Sequence, residues 1–438
     1  MAGRWTSRRA KSCAWRKRHR PRSRPKRTSA PMTSASFRNG CGGWGIWTDD
    51  ERDLIMPFRI LAIAPTAFYN DYGCHVRIQG QLLGLQARGH EVRLVTYPVG
   101  RNAPGLDIRR APGWGMRELA VGSSRIKVAL DAALGPTALA QAIRFRPDLI
   151  YAYLHEGALI GWVLARLLGR PLAFDYQGSL TAEMTAHGFL KPNSLWRGPL
   201  TRLEHWLDAR GQAVLASTEH ARAALTARGV PASRIHLLPD AVDPDRFRPQ
   251  PPDPALQAHL GLDPGIPTLV YLGLLAPYQG IDLLLQALAR VERSWQGLIM
   301  GFPHEARYRA MAESLGIGPR LRFTGAIPYA QAPRYLALGD LALAPKLATS
   351  EGSGKLLPYM SMALPIVATD TPAHRQYLGD LGLYAPPQPA ALARAIEEAL
   401  VHLPELSSVG RALRARVLVR YTWDHTAGQM ERIFRAVL

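Results

Sequence analysis

The sequence predicts an α/β protein built from two doubly wound, parallel-sheet domains that face one another across a cleft. Short β-rich runs alternate with helical patterns from Phe58 onward. A proline-dense stretch at 246–254 interrupts the rhythm, and the alternation then restarts. In open parallel sheets ligands bind beyond the carboxyl ends of the strands, so the cleft is the expected site.

The first series opens at 60–64, a continuous apolar run of the kind a strand covered on both faces needs. Ile78, Leu82 and Leu85 then repeat at helical spacing, with Gly89 where a helix C-cap belongs. Further strands are expected at 92–97, 149–153, 172–176, 214–217 and 235–238. The second series gives strands at 269–272, 298–300, 321–323, 341–344 and 366–368, with helices at 281–291, 305–315 and 390–400. The expected organisation is a leader over 1–56, a first domain over 57–245, a second over 246–420 and a closing segment over 421–438.

Charge is unevenly spread. The chain carries a formal net charge of +20, and residues 1–55 hold 14 of its 54 basic residues against 4 of its 34 acidic ones. So basic a stretch repels itself and has little apolar area to offset its ordering entropy, which predicts disorder. A nucleic-acid arm and a transit peptide are weaker readings of it, and no nucleic-acid partner is expected. Met56 directly precedes the first strand, as if the working protein began there. Gly40, Gly42 and Gly45 imitate a dinucleotide fingerprint, but with neither a strand before nor a helix after them they carry no weight.

Three cysteines, Cys13, Cys41 and Cys74, form neither a disulfide framework nor a metal-ligand pattern, so a reducing cytoplasm is expected, with no cofactor and no obligatory metal. No apolar run reaches a membrane span; the best, 158–168, is broken by Arg166.

The chemistry concentrates in 349–368. Pro358 lacks an amide hydrogen and fits only the first turn of a helix, so a helix must begin near Leu356 or Leu357. Its free amides, with those of Ser353 and Gly354, would face an anion beside the Lys355 ammonium. Glu351 lies just outside and can accept hydrogen bonds from sugar hydroxyls. A glycine turn with a solvated lysine and glutamate is the plainer reading of the same residues.

This stretch resembles the signature region of family-4 glycosyltransferases, whose GT-B fold pairs two facing Rossmann-like domains. Other motifs follow in the family's order: the loop to Gly73, Gly89-His90-Glu91-Val92, the run 235–243 ending Asp240-Ala241-Val242-Asp243, Val270-Tyr271-Leu272-Gly273 and Phe323-Thr324-Gly325. Tyr421-Thr422-Trp423-Asp424 and the helix after it resemble the family's C-terminal helix, which returns to the first domain. The resemblance covers essentially all of 58–438. It implies transfer of a sugar from a nucleotide-sugar donor, with retention, to an acceptor that is a glycan, a lipid or a small molecule. The residues it singles out are Glu351, Lys355 and Gln177 for catalysis; Ser353, Gly354, Gly273, Gly325 and Tyr359 for the donor; and Gly73, Gly178 and Glu183 on the acceptor side.

The chain also departs from the family pattern. The second signature glutamate, associated with the donor ribose, falls at Pro358. The usual arginine and lysine for the diphosphate fall at Leu274 and Gln279, and the frequent histidine before glycine appears as Gln177-Gly178. Lys355 is the expected replacement cation. Two further readings stay open: a sugar-nucleotide epimerase of related fold, and a nucleotide-sugar-binding protein that has lost the site.

Smaller features are read with their plainer alternatives. The run 175–184 follows a strand and should edge the cleft. His155-Glu156 opens a helix, where a glutamate also simply favours the N-terminus. His187 reads as a packing or surface residue and Cys74 as an unreactive one. Arg117, Arg125, Lys127, Arg144 and Arg146 suit an anionic acceptor or peripheral contact with the inner face of a membrane, although a solvated basic face is commoner.

Overall fold

The computed structural model describes residues 56–70, 72–113, 115–116, 119, 125–186, 188–191, 193–347 and 352–438. The basic segment 1–55, the expected catalytic Glu351, His187 and Arg117 lie outside the described residues.

The first sheet contains β1 (Arg59–Ala64), β2 (Glu91–Thr96), β3 (Asp107–Arg110), β4 (Leu149–Tyr153), β5 (Leu172–Tyr176), β6 (Ala213–Ala216) and β7 (Ile235–Leu237). Their order is β3-β2-β1-β4-β5-β6-β7, and every pairing is parallel. The second sheet contains β8 (Thr268–Leu272), β9 (Gln296–Met300), β10 (Leu321–Phe323), β11 (Leu341–Ala344), β12 (Ile366–Thr369) and β13 (Leu383–Ala385), in the order β10-β9-β8-β11-β12-β13 and again parallel throughout. The sequence pattern missed β3 and β13. Both are short strands at sheet edges, one half-buried and charged (Asp-Ile-Arg-Arg), the other three residues long.

Helices α1 (Gly73–Ala87), α2 (Arg125–Phe145), α3 (Leu154–Leu168), α4 (Leu180–Ala186), α5 (Arg197–Asp208) and α6 (Glu219–Ala227) belong to the first half. The second half has α7 (Pro254–His259), α8 (Ile281–Leu288), α9 (Glu305–Ser314), α10 (Ala332–Leu336), α11 (Leu356–Ser361), α12 (Pro372–Leu378), α13 (Pro389–Val401) and α14 (Leu403–Arg420), and α15 (Trp423–Arg435) closes the chain. Leu130 and Leu134 of α2, Leu164 of α3 and Leu225 of α6 cover one face of the first sheet; Ile78 and Leu82 of α1 with Met430 and Phe434 of α15 cover the other. Helices on both faces explain why β4 and β5 are buried at every position and β1 at every position after Arg59.

Helix α15 therefore packs on the first sheet although its sequence follows the second. Gly80 and Gly84 on α1 make this possible: a Cβ at Gly80 would overlap the Trp423 indole, and one at Gly84 would press on Ala427. Arg88 Nε donates to Glu431 Oε2 at 2.6 Å along the same seam.

The proline-dense stretch is not loose. Phe247 is fully buried in the second core, Arg414 donates to the Phe247 and Pro244 carbonyls, and Asp253 caps α7 while pairing with Arg334. The chain crosses between the sheets instead near Leu238–Val242 and Tyr421–Thr422, where the Val242 amide donates to the Tyr421 carbonyl at 2.9 Å.

Candidate active site

A cleft of about 610 Å³ opens where the carboxyl ends of the two sheets face each other. The strand orders reverse between β1 and β4 in one sheet and between β8 and β11 in the other. The segments that follow these four strands line the cleft with Thr66, His155, Gly273 and Lys346, as the switch-point rule for such sheets requires.

The second-domain wall is cationic. Lys346 follows β11, and its Nζ donates to the Gly352 carbonyl at 2.7 Å. Lys355 precedes α11; its Nζ donates to Gln279 Oε1 at 2.8 Å and to the Tyr271 hydroxyl at 3.2 Å, and sits 4.4 Å from the Tyr271 ring centre. Burial, and secondly the nearby Lys346 charge, pushes the Lys355 pKa well below the usual lysine value. Gly273 lies beneath it: a Cβ there would come within 3.0 Å of Nζ, and the backbone φ of +149° is one that side-chain-bearing residues avoid.

The turn 352–354 is shaped partly from the other side. Asp240 Oδ2 lies where a Cβ on Gly352 would come within 2.8 Å, so glycine allows the carboxylate to approach the backbone. Ser353 lines the cleft with its main chain, while its hydroxyl sits 3.1 Å from His374 Nε2. The other ring nitrogen lies 2.6 Å from the Thr369 carbonyl, which fixes Nδ1 as protonated and makes Nε2 the acceptor from Ser353. Burial pushes His374 down to about 4, so it stays neutral.

The first-domain wall is charge-balanced. Arg77, 3% exposed, donates through Nε and Nη2 to both oxygens of the buried Asp175 at 2.9 and 2.7 Å, and through Nη1 to Asp240 Oδ1 at 3.0 Å. Gln177 Nε2 donates to Asp175 Oδ2 at 3.0 Å, which fixes its amide. Farther back, Arg228 Nη1 donates to Glu204 Oε1 and Asp208 Oδ2, both at 2.8 Å. Asp208 Oδ1 also meets His155 Nε2 at 3.0 Å. Glu204 accepts from the Thr181 amide and hydroxyl at 2.9 and 2.7 Å and so anchors the loop that carries Gln177 and Gly178. Burial raises the Glu204 pKa, but those hydrogen bonds outweigh it and hold the group below the usual carboxylate range. His155, Glu204 and Asp208 have metal-like spacing, with the Arg228 guanidinium supplying the positive charge among them. Burial pushes the Cys74 thiol up to about 12 and His75 down to about 3, so neither offers a reactive charged form.

The cleft gathers Gly73, Gln177, Gly178, Glu183, Gly273, Gly325, Ser353, Gly354 and Lys355. Three expectations need correction. Tyr359 does not reach the cleft; it is fully buried, and its hydroxyl accepts the Leu272 amide at 2.6 Å, fastening the end of β8 from below. The amides of Leu356 and Leu357 are used within the turn, donating to the Ser353 and Gly354 carbonyls, because the chain enters the short helix α11 through a tight turn. Lys355 is not a solvated side chain, since its ammonium is turned inward onto Gln279 and Tyr271. Sequence reasoning also missed Lys346, Arg77, Asp240 and Glu204. Lys346 was within reach, as a lysine directly beyond a strand's carboxyl end; the others pair across 98 to 163 residues of chain or through separate helices and leave no local signal.

Two facing parallel-sheet domains with a polar, lysine-bearing cleft at their strand ends are the arrangement of the GT-B fold. Residues 72–241 match the glycosyl transferase 4-like domain and residues 266–402 match glycosyl transferases group 1, so the two domains together belong to the family-4 type. The chain is similar to 2-deoxystreptamine glucosyltransferase of Streptomyces kanamyceticus, 28% identical over 69% of this chain and 81% of that one. It is also similar to D-inositol 3-phosphate glycosyltransferase of Segniliparus rotundus, 28% identical over 67% of each. Among solved structures, sucrose-phosphate synthase from Thermosynechococcus elongatus superposes with a TM-score of 0.73 at 20% identity, covering 86% of this chain and 98% of that one. Anabaena HepE in complex with UDP-glucose superposes at 0.69 and 16%, covering 86% and 100%. These last two likenesses concern the fold.

Proposed function

We propose that the protein transfers a sugar from a nucleotide-sugar donor to a hydroxyl acceptor with retention, and that Lys346 and Lys355 receive the donor diphosphate. The paired lysines at the β11 and α11 ends of the cleft carry this reading. Lys355 touches only neutral partners among the described residues, and its ammonium rests on Gln279, where the family usually places a cation. A diphosphate offers both ammonium groups the counter-charge that would restore the Lys355 pKa.

The leaving group gains negative charge as the glycosidic bond breaks. Cations fixed beforehand in a water-poor cleft stabilise that charge more than the ground state. Gly273 and the 352–354 main chain allow close approach of the phosphates. Gln177, Gly178 and Glu183 form the opposite wall, where the acceptor would sit. Pro358, in place of the second signature glutamate, leaves the ribose to main-chain contacts. Closure would pivot at the crossings near 238–242 and 421–422, because the proline-dense stretch is fastened to the second domain.

A thermal-shift series with UDP-, GDP-, ADP- and dTDP-sugars tests the reading. The true donor at about 100 times its dissociation constant should stabilise by about 2.7 kcal/mol, and slow nucleotide release without acceptor should follow. A donor that is epimerised and retained, or a full panel without any shift, would overturn it.

A further inference from the structure

The outer layer of the first domain is formed by α2, α3 and α5, with α3 packed against both of the others. Helices that cover a sheet ordinarily turn their apolar stripe inward and their polar face to water. This layer exposes large apolar side chains on its outer side as well. The 126–145 stretch of α2 is long and apolar enough to cross a membrane, yet only 22% of its most apolar window is buried. Val128 and Ile143 stand 67% and 61% exposed on it. On α3, Leu159, Val163 and Leu167 form an exposed stripe at i, i+4 and i+8. Leu195 and Trp196 lead into α5, the helix packed on α3, at 94% and 71% exposure. Apolar side chains exposed together over three neighbouring helices mark an interaction surface, whereas singly scattered ones do not.

The charges on this layer identify the partner. Among the described residues of 125–146, 154–170 and 188–210, every exposed charged side chain is an arginine or a lysine, including Arg144, Arg166, Arg170 and Arg202. The acids of the same segments are turned away. Asp131 accepts from Tyr97, Glu204 and Asp208 are buried with Arg228, and Glu156 lines the cleft. Two copies of such a face would bring like charges together, which disfavours self-association. A bilayer with anionic headgroups complements both the apolar centre and the basic rim, and an exposed tryptophan suits the interface between headgroups and tails.

We propose that the outer face of α2, α3 and α5 seats the protein on an anionic bilayer, with its apolar side chains entering the headgroup region and its arginines meeting lipid phosphates. His155 and Glu156, at the start of α3, already line the cleft. The cleft mouth thus borders the seated face, where an acceptor carried by the bilayer could enter. The seating depends on the fold alone and stands or falls separately from the donor assignment.

Flotation of the full chain with phosphatidylcholine vesicles, with and without phosphatidylglycerol, tests it. Binding should require the anionic lipid and weaken with salt. The Leu195→Glu/Trp196→Glu variant should lower the bound fraction at least tenfold, and Arg166→Glu/Arg202→Glu should lower it by about fivefold for each arginine removed. All these proteins retain the basic residues 1–55, so unchanged binding in both variants would overturn the proposal and assign the vesicle contact elsewhere. Failure of the parent chain to float with anionic vesicles would overturn it too. So would a dimer in sedimentation velocity that Leu195→Glu/Trp196→Glu dissociates, because the face would then belong to a second copy. Unfolding midpoints and nucleotide-sugar shifts equal to the parent's are the control for folding.

Discussion

The two walls of the cleft hold their charges in opposite ways. On the first-domain side, the buried Arg77 lies against Asp175 and Asp240, and the half-buried Arg228 against Glu204 and Asp208, so each guanidinium meets two carboxylates. On the second-domain side, Lys355 is turned inward onto an amide and a phenol, with a second lysine close enough to depress its pKa. A wall whose charges are mutually satisfied is a scaffold; a half-buried, desolvated charge with only neutral partners is destabilising until an anion arrives. The contrast separates residues that hold the fold from residues that await a ligand, although both sets are polar and both line or back the same cleft.

The largest effect should come from breaking the balanced wall. Arg77→Met leaves Asp175 buried without its cation, and removing one partner of a buried pair typically costs about 3–5 kcal/mol. Urea unfolding should show that loss; a change below about 1 kcal/mol would mean the pair is no more than a surface-like contact. Lys355→Met should do the reverse. It should lower kcat/KM about ten- to a hundredfold, in line with the roughly 1.5–3 kcal/mol of a charged hydrogen bond, while the unfolding free energy stays level or rises. Equal loss of stability in both variants would erase the distinction between the walls.

The same contrast has a pH signature. Lys355 is held below the ordinary lysine pKa of about 10.4, so between its depressed value and that one the unfolded chain binds more protons than the folded one. Its penalty is fully present below the depressed pKa and is relieved as pH rises through that window. The stability advantage of Lys355→Met over the parent should therefore shrink with rising pH in a thermal-denaturation series. A constant offset would mean the ammonium is not desolvated.

The smallest effect on turnover belongs to Glu204, which reaches the cleft through Thr181 and Ser179. Glu204→Gln keeps the shape and weakens the hold on the 177–183 loop, so acceptor KM should rise a few-fold while donor hydrolysis and donor KM hold steady. A parallel fall in donor hydrolysis would show instead that the network supports the whole site. The split between the two substrates is the readout that a purely structural role would not give.

The fold was legible because period and punctuation are local. Leu149–Tyr153 is apolar and buried at every position, and Leu172–Tyr176 is buried throughout with Asp175 its one charge, because helices cover both faces, and Pro358 confined the start of α11 to within a residue. Edge strand β3 escaped because three of its four residues, Asp-Ile-Arg-Arg, are charged. The site was legible where a strand end and a glycine turn coincide, at Gly273 and at 352–355.

Sequence alone determined the α/β alternation, the two parallel sheets, the cleft as the place for chemistry, and Lys355 as a cation within it. Only tertiary structure decided that Tyr359 is a buried strut, that Lys346 stands beside Lys355, and that the expected return of α15 to the first domain is made against Gly80 and Gly84 of α1. It also decided that Asp240 reaches the 352–354 turn while Arg77 joins it to Asp175. Secondary structure follows from neighbours a few residues apart, which the sequence displays. A buried charge is stable or costly according to partners up to 343 residues away, and folding alone brings those partners within hydrogen-bonding distance.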